Sequence, residues 1–495
     1  MHRRIVSDLL SYLPAKALPA VTPFITVPIF TRQFSPDQYG DYMLAFGVAE
    51  LLLAATCSGF AAGAIRFYAA YDRAADLPGY FAALLTSITV VIVAASSLTA
   101  LGLALGRGAI APNLYPLLWV ALLTFMVNAW YTGLVHVLRA QERSRWYTAF
   151  EIASRYGTVI LSLVLIFGFG AGVEALLWGQ FLALLIAAGP LYWLATRGLS
   201  VRVLAPPPGA VRRMWRYALP LTAGNIAFWS LRLADRYIIQ GFRSTYEVGL
   251  YSVSYNLSAR SIDLVVGLFF LVPGPIIMRL WEEQGRVAAE EALASITRLF
   301  FMLIVPAVAG LAVTAAPLVR LLADAAYFDG HRAIWLVACA SMAFGLGQLG
   351  SFGLLLENKT GLVARNQFLV TGLSVGLNIL TVPIWGFMGA ALSAAVSFTL
   401  LAGLQSACSA RYLTWRWPVK SFLHVVAAAV TMAGVVALFL EAFGGYDART
   451  SSGTLVLVCL TAVIIGMVSY GFILVALGEF SLKSVARRAS SGTSA

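Results

Sequence analysis

Charged side chains are scarce in this chain, and those that interrupt its apolar stretches are the residues with chemistry to offer. Only 11% of the 495 residues are Asp, Glu, Lys or Arg, against 60% hydrophobic. Lys16, Glu50, Glu151 with Arg155, Arg232 with Asp235, and Arg260 with Asp263 all fall inside apolar runs. A charge at the centre of a membrane helix costs about 2.5–3.5 kcal/mol on insertion scales, so each needs a partner, an aqueous cavity or a task. Glu151 and Arg155 are spaced i to i+4, and the other two pairs i to i+3. Both spacings share one helix face and serve a neutralised structural pair as well as a binding surface.

Lys16 has no acid within reach on its own helix. It can bind a ligand, pair with Glu50 from another helix, or snorkel to the inner interface. Arg260 lies roughly 20 Å along its helix from the outer end at 1.5 Å per residue, past the midplane, and ranks first among the candidates. As cavity cations, Lys16, Arg232 and Arg260 favour an anion, and a guanidinium matches phosphate with its planar fork of donors. Glu50, Asp235 and Asp263 are the candidate cavity or coupling acids. Tyr12, Trp229, Tyr237, Tyr251 and Tyr255 lie on or beside the same helices, where aromatic faces suit sugars or form an interface belt.

Covalent and metal chemistry find little support. Cys57, Cys339, Cys408 and Cys459 sit in apolar segments without metal-ligand spacing, so neither a disulfide framework nor a zinc site is expected. No cofactor is expected.

The elements that must position the charges are membrane helices. Mean hydropathy is +0.83, and runs of about 20 apolar residues recur from end to end, each long enough to cross a hydrocarbon core of roughly 30 Å. The expected fold is an all-α integral membrane protein of about fourteen spans, because lipid offers the backbone no hydrogen-bond partners. The spans fall near 9–31, 42–65, 79–105, 113–137, 147–167, 173–195, 215–238, 247–278, 299–321, 333–356, 364–383, 387–410, 421–441 and 454–477.

With both termini inside, the inner loops and tails hold 23 Lys and Arg. The outer loops hold 7: Arg32, Arg107, Arg236, Arg243, Arg320, Arg332 and Arg449. That bias obeys the positive-inside rule, so the net charge of +12 reports topology. A nucleic-acid partner is not expected, since the basic residues are spread over loops.

Two internal echoes divide the chain. Phe34-Ser-Pro-Asp-Gln-Tyr-Gly-Asp-Tyr42 is answered roughly 208 positions later by Phe242-Arg-Ser-Thr-Tyr-Glu-Val-Gly-Leu-Tyr251. Gly168-Phe-Gly-Ala-Gly172 is answered by Gly386-Phe-Met-Gly-Ala390. Such duplication marks transporters that bind substrate between repeats. The expected organisation is two pseudo-symmetric six-helix lobes, residues 1–196 and 215–412. A basic cytoplasmic linker at 197–214 joins them, and a helix pair at 413–478 and a cytoplasmic tail at 479–495 follow. A helix at the membrane surface is expected from Trp281 through Arg298, and Pro273-Gly-Pro275 is expected to let span eight bend.

The segment Leu13-Pro14 to Pro28-Ile-Phe-Thr-Arg32, the Phe34–Tyr42 motif, Asn225 through Asp235-Arg-Tyr-Ile-Ile239, and Glu247-Val-Gly-Leu-Tyr251 together resemble the bacterial oligosaccharide flippase family of polysaccharide biosynthesis proteins. That family shares a superfamily with multidrug extruders and lipid II flippases. The resemblance implies translocation of an undecaprenyl-diphosphate-linked oligosaccharide across a bacterial inner membrane by alternating access, with no covalent chemistry. Its partners would be the lipid-linked oligosaccharide, membrane lipids and a polysaccharide polymerase or assembly machinery. The cationic central cavity of such flippases would be supplied here by Lys16, Arg232 and Arg260, while Asp235-Arg236 and Gly249 match the family pattern at the outer end of span seven. A cation-coupled multidrug extruder of the same architecture is the first alternative, although the charge excess here is basic. An integral-membrane glycosyltransferase or ligase is the second, and the chain offers no large outer loop for it.

Overall fold

The computed structural model describes residues 21–197, 206–270, 273–443 and 452–479. Lys16 and Tyr12, the first part of span one, residues 198–205 of the basic linker and the tail beyond Glu479 lie outside the described residues. Every regular element among the described residues is helical. A helix at 21–33 (α1) is followed by α2 (Pro36–Thr56), α3 (Ser58–Arg73), α4 (Leu77–Leu105), α5 (Leu114–Ala140), α6 (Ser144–Leu163), α7 (Ala175–Thr196) and α8 (Ala210–Phe242). Then come α9 (Thr245–Phe270), α10 (Pro273–Val313), α11 (Ala315–Leu322), α12 (Ile334–Gly350), α13 (Phe352–Leu356), α14 (Thr360–Trp385), α15 (Phe387–Ser409), α16 (Val419–Ala442) and α17 (Ser452–Ala476). Among the described residues, eleven helical stretches are long and apolar enough to cross a bilayer, which makes this a multi-pass membrane protein.

Two compact units are present. One comprises Met1–Ser252 with Gln367–Ala390, the other Val253–Asn366 with Ala391–Ala495. In the first, α5 runs through the core and buries Ala121, Phe125, Ala129, Leu134 and Leu138. Helix α4 buries Tyr80 through Ile88 at one end, whereas Leu98 and Leu105 at the other are bare, the division expected where a helix leaves its protein neighbours for lipid. In the second unit, Ile277, Leu293, Phe300, Ile304, Ala338, Leu413 and Val425 form the core.

Several helix boundaries depart from the sequence expectation. The second span begins at Pro36, where Ser35 and Gln38 close a reciprocal capping box, and it is interrupted at Cys57 before continuing to Arg73. Residues 271–272, just before the Pro273-Gly-Pro275 sequence expected to let span eight bend, lie outside the described residues. The range α10 is two helices that meet at a kink at Gly285, whose φ of 80° is open only to glycine at low cost, and beyond it the surface helix continues into span nine. Arg236, counted as an outer-loop residue, lies inside α8. Arg320 is in α11, and Arg332 is in the 3-10 segment Ala325–Ala333.

The last helix pair is fastened to the second unit beyond the end of α17. The Glu479 carboxylate accepts from Arg298 Nη2 of α10 at 2.6 Å and from His424 Nδ1 of α16 at 2.9 Å, and the same guanidinium reaches the Glu479 carbonyl at 3.0 Å. Burial opposes the charge on Glu479, but hydrogen bonds from His424, Ser421 and Arg298 outweigh it and hold the carboxyl below its ordinary 4.5. The carboxylate therefore contributes its full stabilisation above about pH 4.5 and loses it as pH falls through the depressed value. We predict that Glu479→Gln lowers stability in detergent by about 1–3 kcal/mol at neutral pH, as expected for stranded donors. The deficit should shrink towards zero on acidification, and an unchanged thermal midpoint at pH 7 would refute the clasp.

Candidate functional site

The second echo motif connects three helices. Ser244 accepts from the Glu247 N–H at 3.3 Å, the same first half of a capping box that Ser35 and Gln38 complete in the earlier motif. Here the Glu247 carboxylate instead accepts from the Phe387 N–H at 2.7 Å, capping α15. Arg243 donates to the carbonyls of Val382 and Ile384 at 3.2 and 2.9 Å, satisfying the end of α14. Between those caps the chain turns at Gly386, whose φ is 58°.

One turn inside α8, charge is concentrated. Asp235 and Arg236 are only 5% and 3% exposed. The carboxylate accepts from the Arg236 N–H at 2.9 Å, from Arg236 Nη1 at 3.2 Å and from the Tyr251 hydroxyl of α9. Arg236 also donates to the Arg232 carbonyl at 2.9 Å, and its guanidinium lies 5.6 Å from the Tyr251 ring centroid. The ion pair at Asp235 is with its neighbour Arg236, at 3.2 Å. The i to i+3 pairing of Arg232 with Asp235 read from spacing is therefore subordinate to the Asp235–Arg236–Tyr251 network. Arg232 itself is half-buried, with its guanidinium 5.6 Å from the Phe228 ring.

Three of the aromatics proposed for sugar stacking have other duties. Tyr251 is wholly buried in the network, Tyr255 is buried, and the Tyr237 hydroxyl donates to the Leu44 carbonyl at 3.0 Å. A ring covered on both faces has none left for a sugar. Trp229 is half-buried and packs edge-on against Phe228.

The same unit contains a further polar region on α5 and α6. Tyr131 donates to the Phe150 carbonyl at 2.8 Å, which fixes α5 against α6. On α5 the stripe Asn128, Thr132 and His136 adds polar groups at i, i+4 and i+8, linked in sequence by Thr132 Oγ1 to Asn128 Oδ1 and His136 Nδ1 to the Thr132 carbonyl. The signal for this stripe was legible in the sequence as period-four polarity, yet no charge drew attention to it.

In the second unit, Ser254 and Ser258 of α9 donate to the carbonyls of Gly330 and Ile334 at 2.7 and 2.8 Å and set that face against its neighbours. At 100° per residue Arg260 falls on the opposite face, and it is exposed, with Asp263 half-buried one turn on. Arg232 and Arg260 belong to different units. Among the described residues, no three His, Cys, Asp or Glu side chains gather as a metal site would require. We predict that Arg236→Ala strands a buried carboxylate and costs about 3–5 kcal/mol. Tyr251→Phe, which removes one hydrogen bond, should cost about 1–3 kcal/mol. Thermal unfolding in detergent measures both, and equal losses would contradict the network.

Residues 5–281 match the family model described as polysaccharide biosynthesis protein. Among curated protein sequences, none matches the chain. Solved structures resemble it at the level of fold. The lipid II flippase MurJ in an inward closed conformation matches with TM-score 0.73 at 12% identity, over 94% of this chain and 98% of that one. A multidrug resistance MATE family transporter of the MOP superfamily in an inward-facing conformation matches with TM-score 0.67 at 13% identity, over 81% and 94%. A MOP superfamily transporter from Pyrococcus furiosus, described as having a binding pocket of reversed polarity, matches with TM-score 0.59 at 14% identity, over 82% and 93%. The fold is that of MOP superfamily transporters, and with more than half its length matched by the family model, the chain belongs to the polysaccharide biosynthesis protein family.

Proposed function

We propose that the protein is a flippase that moves an undecaprenyl-diphosphate-linked oligosaccharide from the inner to the outer leaflet of a bacterial inner membrane by alternating access. The product would feed O-antigen, capsule or exopolysaccharide synthesis. The observation that carries this reading is cationic. Within a chain of the polysaccharide biosynthesis family, α8 and α9 hold Arg232 half-buried and Arg260 exposed inside helical segments, where a guanidinium is expensive unless it serves a purpose. Arg260, Arg232 and Lys16 would receive the diphosphate, with the lipid tail left in the bilayer. Both termini would be cytoplasmic, and a polymerase or assembly machinery outside would consume the product and make movement directional. The fold likeness to a lipid II flippase supports a lipid-linked substrate.

A cation-coupled multidrug extruder is the second reading. It is favoured by the likeness to a MATE transporter and by the membrane carboxylates Glu50 and Asp263. The two separate in proteoliposomes by exposure of a labelled lipid-linked oligosaccharide to an impermeant glycosidase. We predict protein-dependent exposure that falls about 10- to 100-fold in Arg260→Ala, the equivalent of roughly 1.5–3 kcal/mol for a charged hydrogen-bonding partner. Arg260→Lys should recover only part of it, since an ammonium lacks the bidentate fork. Full exposure with Arg260→Ala would reject the site. Ion-driven efflux of small organic cations without exposure of any glycolipid would move the assignment to the extruder.

A further inference from the structure

Helix α5, in the first unit, carries two stripes of i, i+4, i+8 spacing. Trp119, Leu123 and Val127 form an apolar one, with Leu123 40% exposed and the other two half-buried. Asn128, Thr132 and His136 form a polar one, each half-buried, which runs on to the exposed Arg139. From Leu123 to Thr132 the helix makes about two and a half turns, so the stripes look in opposite directions. Each is the open side of its own half of the helix. Ala121 and Phe125, in line with the polar stripe but nearer Leu114, are wholly buried. Leu134 and Leu138, in line with the apolar stripe but nearer Ala140, are buried as well.

An open apolar stripe suits hydrocarbon. A ladder of Asn, Thr and His does not, because lipid cannot pair with its donors and acceptors, and polar groups at membrane depth belong in water-filled cavities. The ladder is also held in one arrangement. Thr132 Oγ1 donates to Asn128 Oδ1 at 3.4 Å, and His136 Nδ1 donates to the Thr132 carbonyl at 2.8 Å, which sets the tautomer of the ring. Tyr131 fastens the closed side to α6, and just past the end of the helix Gln141 and Arg143 fasten the chain to α7. With the Asn128 oxygen engaged, its Nδ2 donors point to a partner outside the protein, and the Thr132 oxygen keeps lone pairs for an incoming donor. Donor and acceptor stand one helical turn apart with no charge on either, which matches a hydroxyl or N-acetyl group and offers nothing to an ion.

We propose that Asn128, Thr132 and His136 are a sugar-recognising edge, which reads the neutral part of the substrate while arginines take its diphosphate. The inference rests on the lipid-linked oligosaccharide reading given above and deepens it. Sugar recognition passes from the aromatic rings, of which Tyr251 and Tyr255 are covered, to a fixed polar ladder on α5. Discrimination follows from the same geometry, since a site built to hydrogen-bond a hydroxyl rejects an analogue that lacks it.

The test uses the full-length protein in lipid nanodiscs and has two readouts. In a chain whose four native cysteines are replaced, Thr132→Cys should react with a membrane-impermeant methanethiosulfonate at least about tenfold faster than Leu123→Cys, because a thiol in lipid does not ionise. Equal rates would overturn the aqueous stripe. The second readout is affinity for two probes, undecaprenyl diphosphate and the same lipid carrying a disaccharide of N-acetylhexosamines. The double variant Asn128→Leu/Thr132→Val should weaken the disaccharide lipid about 10- to 100-fold, the loss expected for unpaired polar groups on the sugar, and leave the bare diphosphate lipid within about twofold. Retained binding of the bare lipid also shows that the variant is folded, and Thr132→Ser, which keeps the hydroxyl, should bind as the native chain does. Equal weakening of both lipids, or of neither, would reject the sugar edge. Native protein that binds both lipids equally well would reject the edge alone, whereas native protein that binds neither would count against the proposed function itself.

Discussion

In hydrocarbon a backbone amide has no water to turn to, so a helix can stop only where something else takes over its open hydrogen bonds. That constraint governs where this chain spends its polar side chains. Ser35 and Gln38 close the start of α2, Asp76 caps α4 at Gly79, and Glu247 caps α15. At the other ends, Gln141 and Arg143 donate to the Ala195 and Leu194 carbonyls that terminate α7, and Arg243 closes α14. Most of these caps come from a different helix. Finishing one helix therefore fixes its neighbour, and packing follows from termination as much as from apolar contact.

The same economy separates two kinds of membrane charge. Asp235 and Arg236 are spent on each other and on Tyr251, deep in the α8–α9 corner. Breaking such a buried pair costs more than forming it contributes, which makes it a device of specificity rather than of net stability. Arg260, on the face of α9 opposite its bonded serines, is exposed in a segment where exposure is expensive. The contrast between a covered and an exposed arginine separates scaffold from candidate site within two adjoining helices.

Composition was sufficient to identify a helical membrane protein, because lipid leaves the backbone one economical solution, whereas orientation rests on the arginine bias alone. The Ser-x-x-Gln and Ser-x-x-Glu motifs were legible as helix starts for an equally local reason. What spacing could not supply was choice among partners. Arg232 and Arg236 are both within a turn of Asp235, and only the approach of Tyr251 from α9 decides between them. Breaks at Cys57 and Gly285 escaped notice because neither lies beside a proline, the residue that most visibly interrupts a helix in sequence. Tyr251 and Tyr255 looked like sugar platforms because burial is a property of the fold, not of the residue.

Glu247 also has a history during synthesis. Its partner Phe387 lies 140 residues downstream. At 5–20 residues per second the ribosome needs roughly 7–28 s to make that stretch. Throughout the delay α15 does not exist, and the nearest donor for the carboxylate is the N–H of Ser244, which would complete the local box that Gln38 completes permanently. The side chain thus has one partner for the nascent protein and another for the finished one. A move from Ser244 to Phe387 would then have to wait for α15 to be made.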